Sequence, residues 1–546
     1  MGRFDALRKN ALWNGNAAPD KGHTLSLAHA IPTQRTPKGL PKTVTSICPE
    51  CLRRIEAVLY EKDGAVRMRK VCPEHGEFRD LISSDARFYL KMEKWTFEDE
   101  DGIRNPLVAD PPSCPDTCGL CRHHLATACQ LNIDLTNRCN MSCPWCFANA
   151  NASGVLFEAT RDQIDLMLRS GRGVEPQRNK AIQYAGGEPT IHPEFLWAVR
   201  RAKEHGYRYV MAATNGITIA RSREFAERCR EAGLDALYLQ FDGMTDDVYL
   251  KTRGRALAEQ KFRTIENARA AGLRVVLVPT LIKGVNDHQI GDIVRFGLAN
   301  LDVLNAISFQ PVSFTGRVSC EERLKARFTL ADLAHAVKEQ TGLLEPQRDW
   351  YPLGFVSPLA KLMEKLGGKP TMTISCHSDC GVGAYVISDG EGTVVPITKF
   401  VDVERTMIEL NEMSKKMVSF LDRPLSFAHF YATLRKNYLG NDLPEGFKFF
   451  DFLGALAPTL IRRASPLGKR RNWRFLILIS MHFQDRYNFN LDRVRRCNVH
   501  YAAPDGRIYP FCTYNSGPMY RNKVECTFGR PLGPRGGGEA RERGKG

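Results

Sequence analysis

From residue 131 to about 320 the chain alternates between short apolar runs and longer stretches with apolar residues at helical spacing. The apolar runs at 131–136, 181–185, 209–213, 236–241, 274–280 and 306–310 are predicted as strands, and the stretches at 161–169, 193–205 and 221–232 as helices. Strand–helix alternation of this kind predicts a parallel sheet in an α/β fold. Outside it the pattern weakens. Residues 1–43, rich in Pro, Asn, Lys and Thr, read as a loosely ordered leader, and 529–546 (GRPLGPRGGGEARERGKG) as a low-complexity, disordered tail. Within Phe447–Met481, residues Phe449, Phe450, Phe452, Leu453, Leu456 and Leu460 recur at helical spacing. Arg462, Arg463, Lys469, Arg470, Arg471 and Arg474 follow them. Such a stripe is ordinarily core; the alternative is an amphipathic segment that binds acyl chains or lies on an anionic membrane surface.

At 546 residues the chain exceeds one ordinary domain and buries a sizeable core. Its 17 cysteines fall in tight groups, which in a long chain points to metal rather than disulfide staples. The first residues lack the apolar run of a signal peptide, and no run approaches the ~20 apolar residues of a spanning helix. A cytoplasmic protein, peripheral to the membrane at most, is expected. The net charge of +16 fits a solvated basic surface or an acidic partner. No RRM, KH or zinc-finger helix signature accompanies it, which argues against nucleic acid.

The cysteine groups carry the chemistry. Cys48 and Cys51 in CPEC, with Cys72 and His75 in CPEHG, form two knuckles around a hairpin-like stretch, a tetrahedral Cys3His set open to zinc or iron. Cys114, Cys118 and Cys121 follow at C-x3-C-x2-C, with Cys129 eight residues later. This reads as an iron–sulfur cluster whose fourth ligand is Cys129, with His123 and His124 as alternatives. Cys139, Cys143 and Cys146 repeat the spacing in LTNRCNMSCPWCFANA. Three thiolates hold three irons of a four-iron cluster and leave one iron without a protein ligand, free to take a small molecule. Cys376 and Cys380 in CHSDC pair with Cys497 and Cys512, which a turn at Pro504-Asp505-Gly506 brings together, as a further cluster site. Cys229, Cys320 and Cys526 stand alone and read as bystanders.

The Cys139 loop, followed about 40 residues later by AGGEP (185–189), resembles the radical S-adenosylmethionine (SAM) superfamily. The resemblance implies a partial (β/α)6 barrel and a [4Fe-4S] cluster on Cys139, Cys143 and Cys146 whose open iron chelates SAM. Gly186, Gly187, Glu188 and Pro189 would line the methionine amino group. In such barrels the chemistry gathers at the C-terminal ends of strands, so Asn215 and Asp242 are expected to line the pocket. The set CPEC…CPEHG, CPDTCGLC, LTNRCNMSCPWCFANA, AGGEP, CHSDC and CNVHY…DGRIYPFCTYN, spanning about 44–525, is similar to the archaeal tetraether lipid synthase family.

That resemblance implies a 5′-deoxyadenosyl radical that activates an unactivated C–H bond, for C–C coupling of lipid chains. It also implies an electron donor such as ferredoxin or flavodoxin, three [4Fe-4S] clusters and one mononuclear Fe or Zn. The domains expected are a rubredoxin-like metal domain at 44–98, an auxiliary cluster segment at 99–130, the radical SAM core at 131–320, and a C-terminal auxiliary iron–sulfur and substrate-binding region at 321–528. The alternative activity is a radical SAM C-methyltransferase on a small heterocycle with a folate-type methylene donor, a role also associated with relatives. A greasy tunnel with a basic mouth favours the first; a short polar pocket favours the second. A non-enzymatic electron carrier is the third reading, and the GGEP segment argues against it.

Overall fold

The computed structural model describes residues 36–98, 102–108, 114–315, 320–416, 423–440, 443, 447–460, 473–517 and 519–532. Residues 1–35, the basic run 461–472 and the tail 533–546 lie outside the described residues.

Strands β1 (Lys42–Ile47), β2 (Arg54–Lys62), β3 (Ala65–Cys72) and β4 (Gly76–Ser83) form an antiparallel sheet in that order. The two-residue turn Asp63-Gly64 between β2 and β3 has positive φ at both positions, as tight hairpins with right-handed strand twist require. Val44, Ala57, Leu59 and Met68 pack one face of this sheet. Lys42 and Thr43, expected in the leader, belong instead to β1, where backbone pairing with β2 orders them.

The next strands are β5 (Gln130–Thr136), β6 (Val155–Leu156), β7 (Ala181–Gly186), β8 (Tyr209–Thr214), β9 (Ala236–Gln240), β10 (Arg274–Val278), β11 (Thr280–Leu281) and β12 (Leu304–Pro311). Neighbours run β5-β7-β8-β9-β10-β12, all parallel, which is the six-stranded partial barrel. The intervening helices cover its outside. The helix Arg161–Arg172 starts at a reciprocal Thr160–Gln163 capping box, which satisfies two of its unpaired amide donors. Alternate residues point opposite ways along each strand. Leu131, Ile133, Leu135, Ile182, Tyr184, Leu237, Leu239, Ile307 and Phe309 join the main core beneath the helices. The opposite face carries Asn132, Asp134, Gln183, Tyr238, Gln240, Ser308 and Gln310, so part of the barrel interior is polar. Val276, Val278 and Ala306 make an apolar patch on that same inner face.

The last third holds β13 (Tyr351–Pro352), β14 (Gly381–Ser388), β15 (Val394–Pro396), β16 (Arg474–Met481), β17 (Val499–Ala502), β18 (Ile508–Pro510) and β19 (Arg530–Pro531). Strand β16 pairs parallel to β12, and β17 pairs parallel to β5. The C-terminal region is therefore woven onto both edges of the barrel sheet rather than set apart, which covers edges that would otherwise expose unpaired backbone groups. Arg530 and Pro531, expected in a disordered tail, pair with β6.

The aromatic stripe of the 447–481 segment behaves as core where it is described. Phe447, Phe449, Phe452 and Trp473 pack with Phe400 and Val401. Phe450 is exposed. Arg474 begins β16, so the basic residue and the apolar run after it serve sheet pairing rather than a surface helix. No helix among the described residues is long and apolar enough to cross a membrane.

Candidate active site and metal centres

The loop after β5 carries Cys139, Cys143 and Cys146 at the C-terminal end of the barrel. Asn151 pins it: its Oδ1 accepts the Cys139 amide at 3.0 Å, and its Nδ2 donates to the Cys139 and Met141 carbonyls, each at 3.0 Å. Asn149 and Asn151 both adopt positive φ, a conformation that asparagine tolerates better than most residues. The chain at Gly186–Gly187 presses directly on this loop. The Gly187 amide donates to Thr136 O at 2.7 Å and the Glu188 amide to Arg138 O at 2.9 Å. A Cβ on Gly186 would stand 2.1 Å from Thr136 O, and one on Gly187 2.1 Å from Arg138 O. Only glycines fit that crossing. Pro189 opens a short helical turn, Pro189–Ile191, directly after it.

Burial pushes the Cys139 thiol up to about 12, with the nearby Glu188, Cys143 and Cys146 adding to it. Cys143 is also raised by burial, while Arg253 draws it down. Half-buried thiols this close form a donor set that a cation relieves by fixing them as thiolates. Three thiols on one short loop are the donor chemistry that an iron–sulfur cluster takes.

Glu188 is buried and fully engaged. Its Oε1 accepts from the Thr190 amide and hydroxyl and from Thr214 Oγ1, and its Oε2 accepts the Asn215 amide at 2.7 Å. Burial raises its carboxyl despite those bonds. Asn215 stands at the loop, its Nδ2 donating to Asn140 Oδ1 at 2.7 Å and lying 3.9 Å from Cys139 Sγ. Asp242 is placed differently from the pocket-lining position expected for it. It is 0 % exposed and its carboxylate is taken up by Arg253, whose Nη2 donates to Oδ1 at 2.9 Å, and by the Thr280 amide at 3.0 Å. Arg253 Nη1 in turn donates to Trp145 O at 3.1 Å, between the second and third cysteines. Asp242 thus acts on the cysteine loop through Arg253. Lys261, wholly buried, donates from Nζ to Asn215 O at 2.6 Å and Gln240 Oε1 at 2.7 Å, and burial brings its ammonium down to about 7.

At the N-terminal sheet, the ligand atoms of Cys48, Cys51, Cys72 and His75 lie within 4.8 Å of one another. Cys51 Sγ and Cys72 Sγ are 3.9 Å apart, and His75 Nδ1 is 3.5 Å from Cys72 Sγ and 3.7 Å from Cys48 Sγ. A tetrahedron with metal–sulfur bonds of about 2.3 Å has edges of about 3.7 Å, so the set fits one tetrahedral ion.

Cys114, Cys118 and Cys121 come together: burial raises the Cys114 and Cys118 thiols, Cys121 adds to both, and Cys114 adds to Cys118. Cys118 Sγ lies 3.2 Å from Thr513 Oγ1, next to Cys512. Cys376, Cys380, Cys497 and Cys512 also converge: Cys376 feels Cys380 and Cys497, and Cys497 feels Cys512 and Cys380. The predicted hairpin forms as β17 and β18, with Gly506 at positive φ in its turn. Cys129, expected beside Cys121, also lies near the C-terminal group. It interacts with Cys376, and its thiol donates to Thr373 O at 2.6 Å, because β5 starts immediately after it and carries it to the C-terminal group. Of the alternatives, His124 is buried with Nε2 against Cys497 O at 2.9 Å and His500 Nε2 at 3.1 Å, and burial brings it down to about 4. Cys229 is packed in the main core, Cys526 is exposed, and the Cys320 side chain lies outside the described residues.

Several residues escaped the motif reading. Arg253 and Lys261 hold the cysteine loop and its neighbour Asn215, and Arg493 stands between Cys380 and Cys512 as a buried cation that offsets their charge. None has a fixed spacing to a cysteine, and each lies in a charged stretch of sequence that gives it no distinguishing mark.

The radical SAM superfamily model matches residues 133–297, and the HMPTM N-terminal zinc ribbon domain model matches residues 40–84. The first ion site lies within the zinc ribbon match, in line with the small N-terminal metal domain expected there. The chain is 40 % identical over 495 residues to a 7,8-dihydro-6-hydroxymethylpterin dimethyltransferase of Methanocaldococcus jannaschii, covering 90 % of this chain and 96 % of that one. It is also 32 % identical over 168 residues to a probable GTP 3′,8-cyclase of Pyrococcus horikoshii, covering 30 % of this chain and 51 % of the relative. A solved structure, SuiB of Streptococcus suis with its precursor peptide SuiA, aligns over 54 % of this chain and 68 % of SuiB at 14 % identity and TM-score 0.33. With its cysteine loop, glycine crossing and near-full-length match, the chain belongs to the radical SAM superfamily, in the family of the 7,8-dihydro-6-hydroxymethylpterin dimethyltransferase.

Proposed function

We propose that this enzyme is a radical SAM C-methyltransferase that replaces a hydrogen on a carbon of a reduced pterin by a methyl group. The observation that carries the reading is the 40 % identity to the pterin dimethyltransferase across 90 % of this chain. The barrel interior supports it. Tyr238 OH meets Ser308 Oγ at 2.7 Å and accepts from Gln310 Nε2 at 2.8 Å, spanning β9 to β12 across β10. An inner wall of hydroxyl and amide groups suits a small heterocycle with donors and acceptors, and leaves polar groups unpaired against a hydrocarbon chain. Lipid-chain coupling, the other reading, leaned on the 447–474 stripe, of which Phe447, Phe449 and Phe452 are covered by the protein's own Phe400 and Trp473.

When bound, the Cys139/Cys143/Cys146 cluster and SAM supply the one-electron chemistry that removes hydrogen from an unactivated carbon, fed by a low-potential donor of the ferredoxin or flavodoxin type. The chain's own part is positioning. Asn151 and Arg253 hold the cysteine loop, and the Gly186–Pro189 segment with Asn215 shapes the floor beside it. Cys114, Cys118 and Cys121 would hold one auxiliary cluster, and Cys376, Cys380, Cys497 and Cys512 a second with a complete ligand set. Cys48, Cys51, Cys72 and His75 would hold zinc. A folate-type methylene donor is the expected source of the new carbon.

The test is anaerobic incubation of cluster-loaded protein with reductant, SAM, a folate-type methylene donor and 7,8-dihydro-6-hydroxymethylpterin, beside a parallel incubation with lipid extract. Mass spectrometry should show pterin heavier by one or two methyl groups. Coupled lipid with unchanged pterin would defeat the proposal.

A further inference from the structure

Two acceptor atoms inside the barrel have no partner in the protein: Asp134 Oδ1 and Gln183 Oε1. Both residues are more than nine-tenths buried, at 5 % and 7 % exposed. They sit on the adjacent parallel strands β5 and β7, where Asn132 pairs with Gln183 and Asp134 with Ala185. Leu131, Ile133, Ile182 and Tyr184 face the helices, so Asp134 and Gln183 share the inner face one register step apart. A buried acceptor left without a donor costs about 1–3 kcal/mol, and two on one wall point to a ligand that brings N–H groups.

The surroundings describe the ligand's shape. The other carboxylate oxygen, Asp134 Oδ2, is held by Arg521 and by Tyr514 OH at 3.2 Å, so Oδ1 is fixed in direction. Arg521 is itself braced by Asn515 Oδ1 at 2.8 and 3.0 Å. Tyr514 stacks on Tyr501 with centroids 4.3 Å apart, Tyr501 meets Phe511 at 5.4 Å, and Phe511 stacks on Phe147 at 5.6 Å. Phe147 directly follows Cys146. An unbroken aromatic wall therefore runs from the residue after the third cluster cysteine to the carboxylate of Asp134. Ring walls of this kind take flat ligands by stacking, with a polar edge presented to the fixed acceptor.

We propose that Asp134 and Gln183 are specificity-determining residues whose free oxygens accept the neighbouring ring N–H and exocyclic amino hydrogens of a 2-amino-4-oxopyrimidine edge, while the Tyr501–Phe511 wall covers the ring face. This rests on the pterin reading above and names the residues that select that substrate. An edge bearing a 2-oxo group instead of the 2-amino group turns an acceptor toward the Asp134 carboxylate and is rejected.

The experiment measures anaerobic binding of two probes to the cluster-loaded enzyme by the change in their own fluorescence: 7,8-dihydro-6-hydroxymethylpterin and its 2-oxo analogue, 7,8-dihydro-6-hydroxymethyllumazine. Wild type is expected to bind the pterin more tightly by about tenfold or more, equivalent to ~1.4 kcal/mol. Asp134→Asn and Gln183→Leu should each weaken pterin binding by about tenfold and shrink the preference. Gln183→Leu leaves the Asp134–Arg521 pair in place, so a folding defect in the Asp134 variant does not decide the result. Equal affinity of wild type for both probes, or unchanged pterin affinity in Gln183→Leu, overturns the assignment while leaving the methyltransferase reading standing. Wild type that binds no pterin overturns both.

Discussion

Replacing Gly187 by alanine tests the geometry on which the whole site depends. The added Cβ would lie 2.1 Å from the Arg138 carbonyl oxygen and 2.5 Å from its carbon, both backbone atoms. A carbon–oxygen contact needs about 3.3 Å, so strands β5 and β7 must part by about 1.2 Å at their C-terminal ends. The amide bonds from Gly187 to Thr136 O and from Glu188 to Arg138 O stretch with them, at ~1 kcal/mol each. Arg138 is the residue before Cys139, so the displacement passes directly to the first cluster ligand. Misplacement of about 1 Å near reacting atoms costs about 100-fold in rate. Gly187→Ala should therefore form 5′-deoxyadenosine from SAM about 100-fold more slowly than wild type under the same reductant. The assay is chromatographic product quantitation on anaerobically reconstituted protein, with the ribbon metal as an internal standard of correct folding. Gly367→Ala is the control, since a Cβ there meets nothing within 4 Å; it should leave the rate unchanged. A Gly187→Ala enzyme that cleaves SAM at the wild-type rate would refute the close-crossing argument.

Three further outcomes are expected. Cys143→Ala should abolish SAM cleavage, while Cys376→Ala should retain cleavage that no longer yields methylated product; full product formation by either variant contradicts the roles assigned. Arg253→Met leaves the fully buried Asp242 carboxylate without its ion partner and should lower stability by about 3–5 kcal/mol in denaturant titration, with Asp242→Asn in the same chain restoring part of it. Lys70, on β3, is buried with Nζ donating to Ser46 Oγ at 3.1 Å and Arg486 O at 2.7 Å, and burial brings it from its ordinary 10.5 to about 7. Between those values the unfolded chain holds the extra proton, so Lys70 makes stability climb as pH rises from about 7 to 10.5. Lys70→Met should flatten that climb, as read by denaturant titration of the zinc-loaded protein across the window.

Much of the catalytic apparatus could be read from spacing because a metal site is built largely from short loops. Cys139, Cys143 and Cys146 lie within eight residues, and CPEC and CPEHG place four ligands at the two ends of one hairpin. The parallel strands were legible as apolar runs for a similar reason, since both their faces are mostly covered. The partner of Cys129 was not. Distance along the chain points to Cys121, and nothing local shows that the start of β5 also brings the thiol near Cys376, which is 247 positions away. Asp242 misled through position: the end of a barrel strand is where pocket residues gather, yet a single arginine on the following helix turned it inward.

The sequence by itself pointed to radical SAM chemistry, because ligand identity and short loop spacing restrict which metals can bind, while leaving the substrate open. It also determined the core strand order, since each crossover of a dozen or more residues delivers the next strand beside the last. Only the tertiary structure decided that β16 and β17 close the two edges of the sheet, that Phe447, Phe449 and Phe452 are internal, and that Asp134, Gln183 and the tyrosines share one wall. Those contacts join segments well separated in the chain, from Phe400 and Phe447 to Asp134 and Arg521, which are 387 positions apart. Their free energy comes from joint burial and shared pairing, which no local stretch of the chain carries alone.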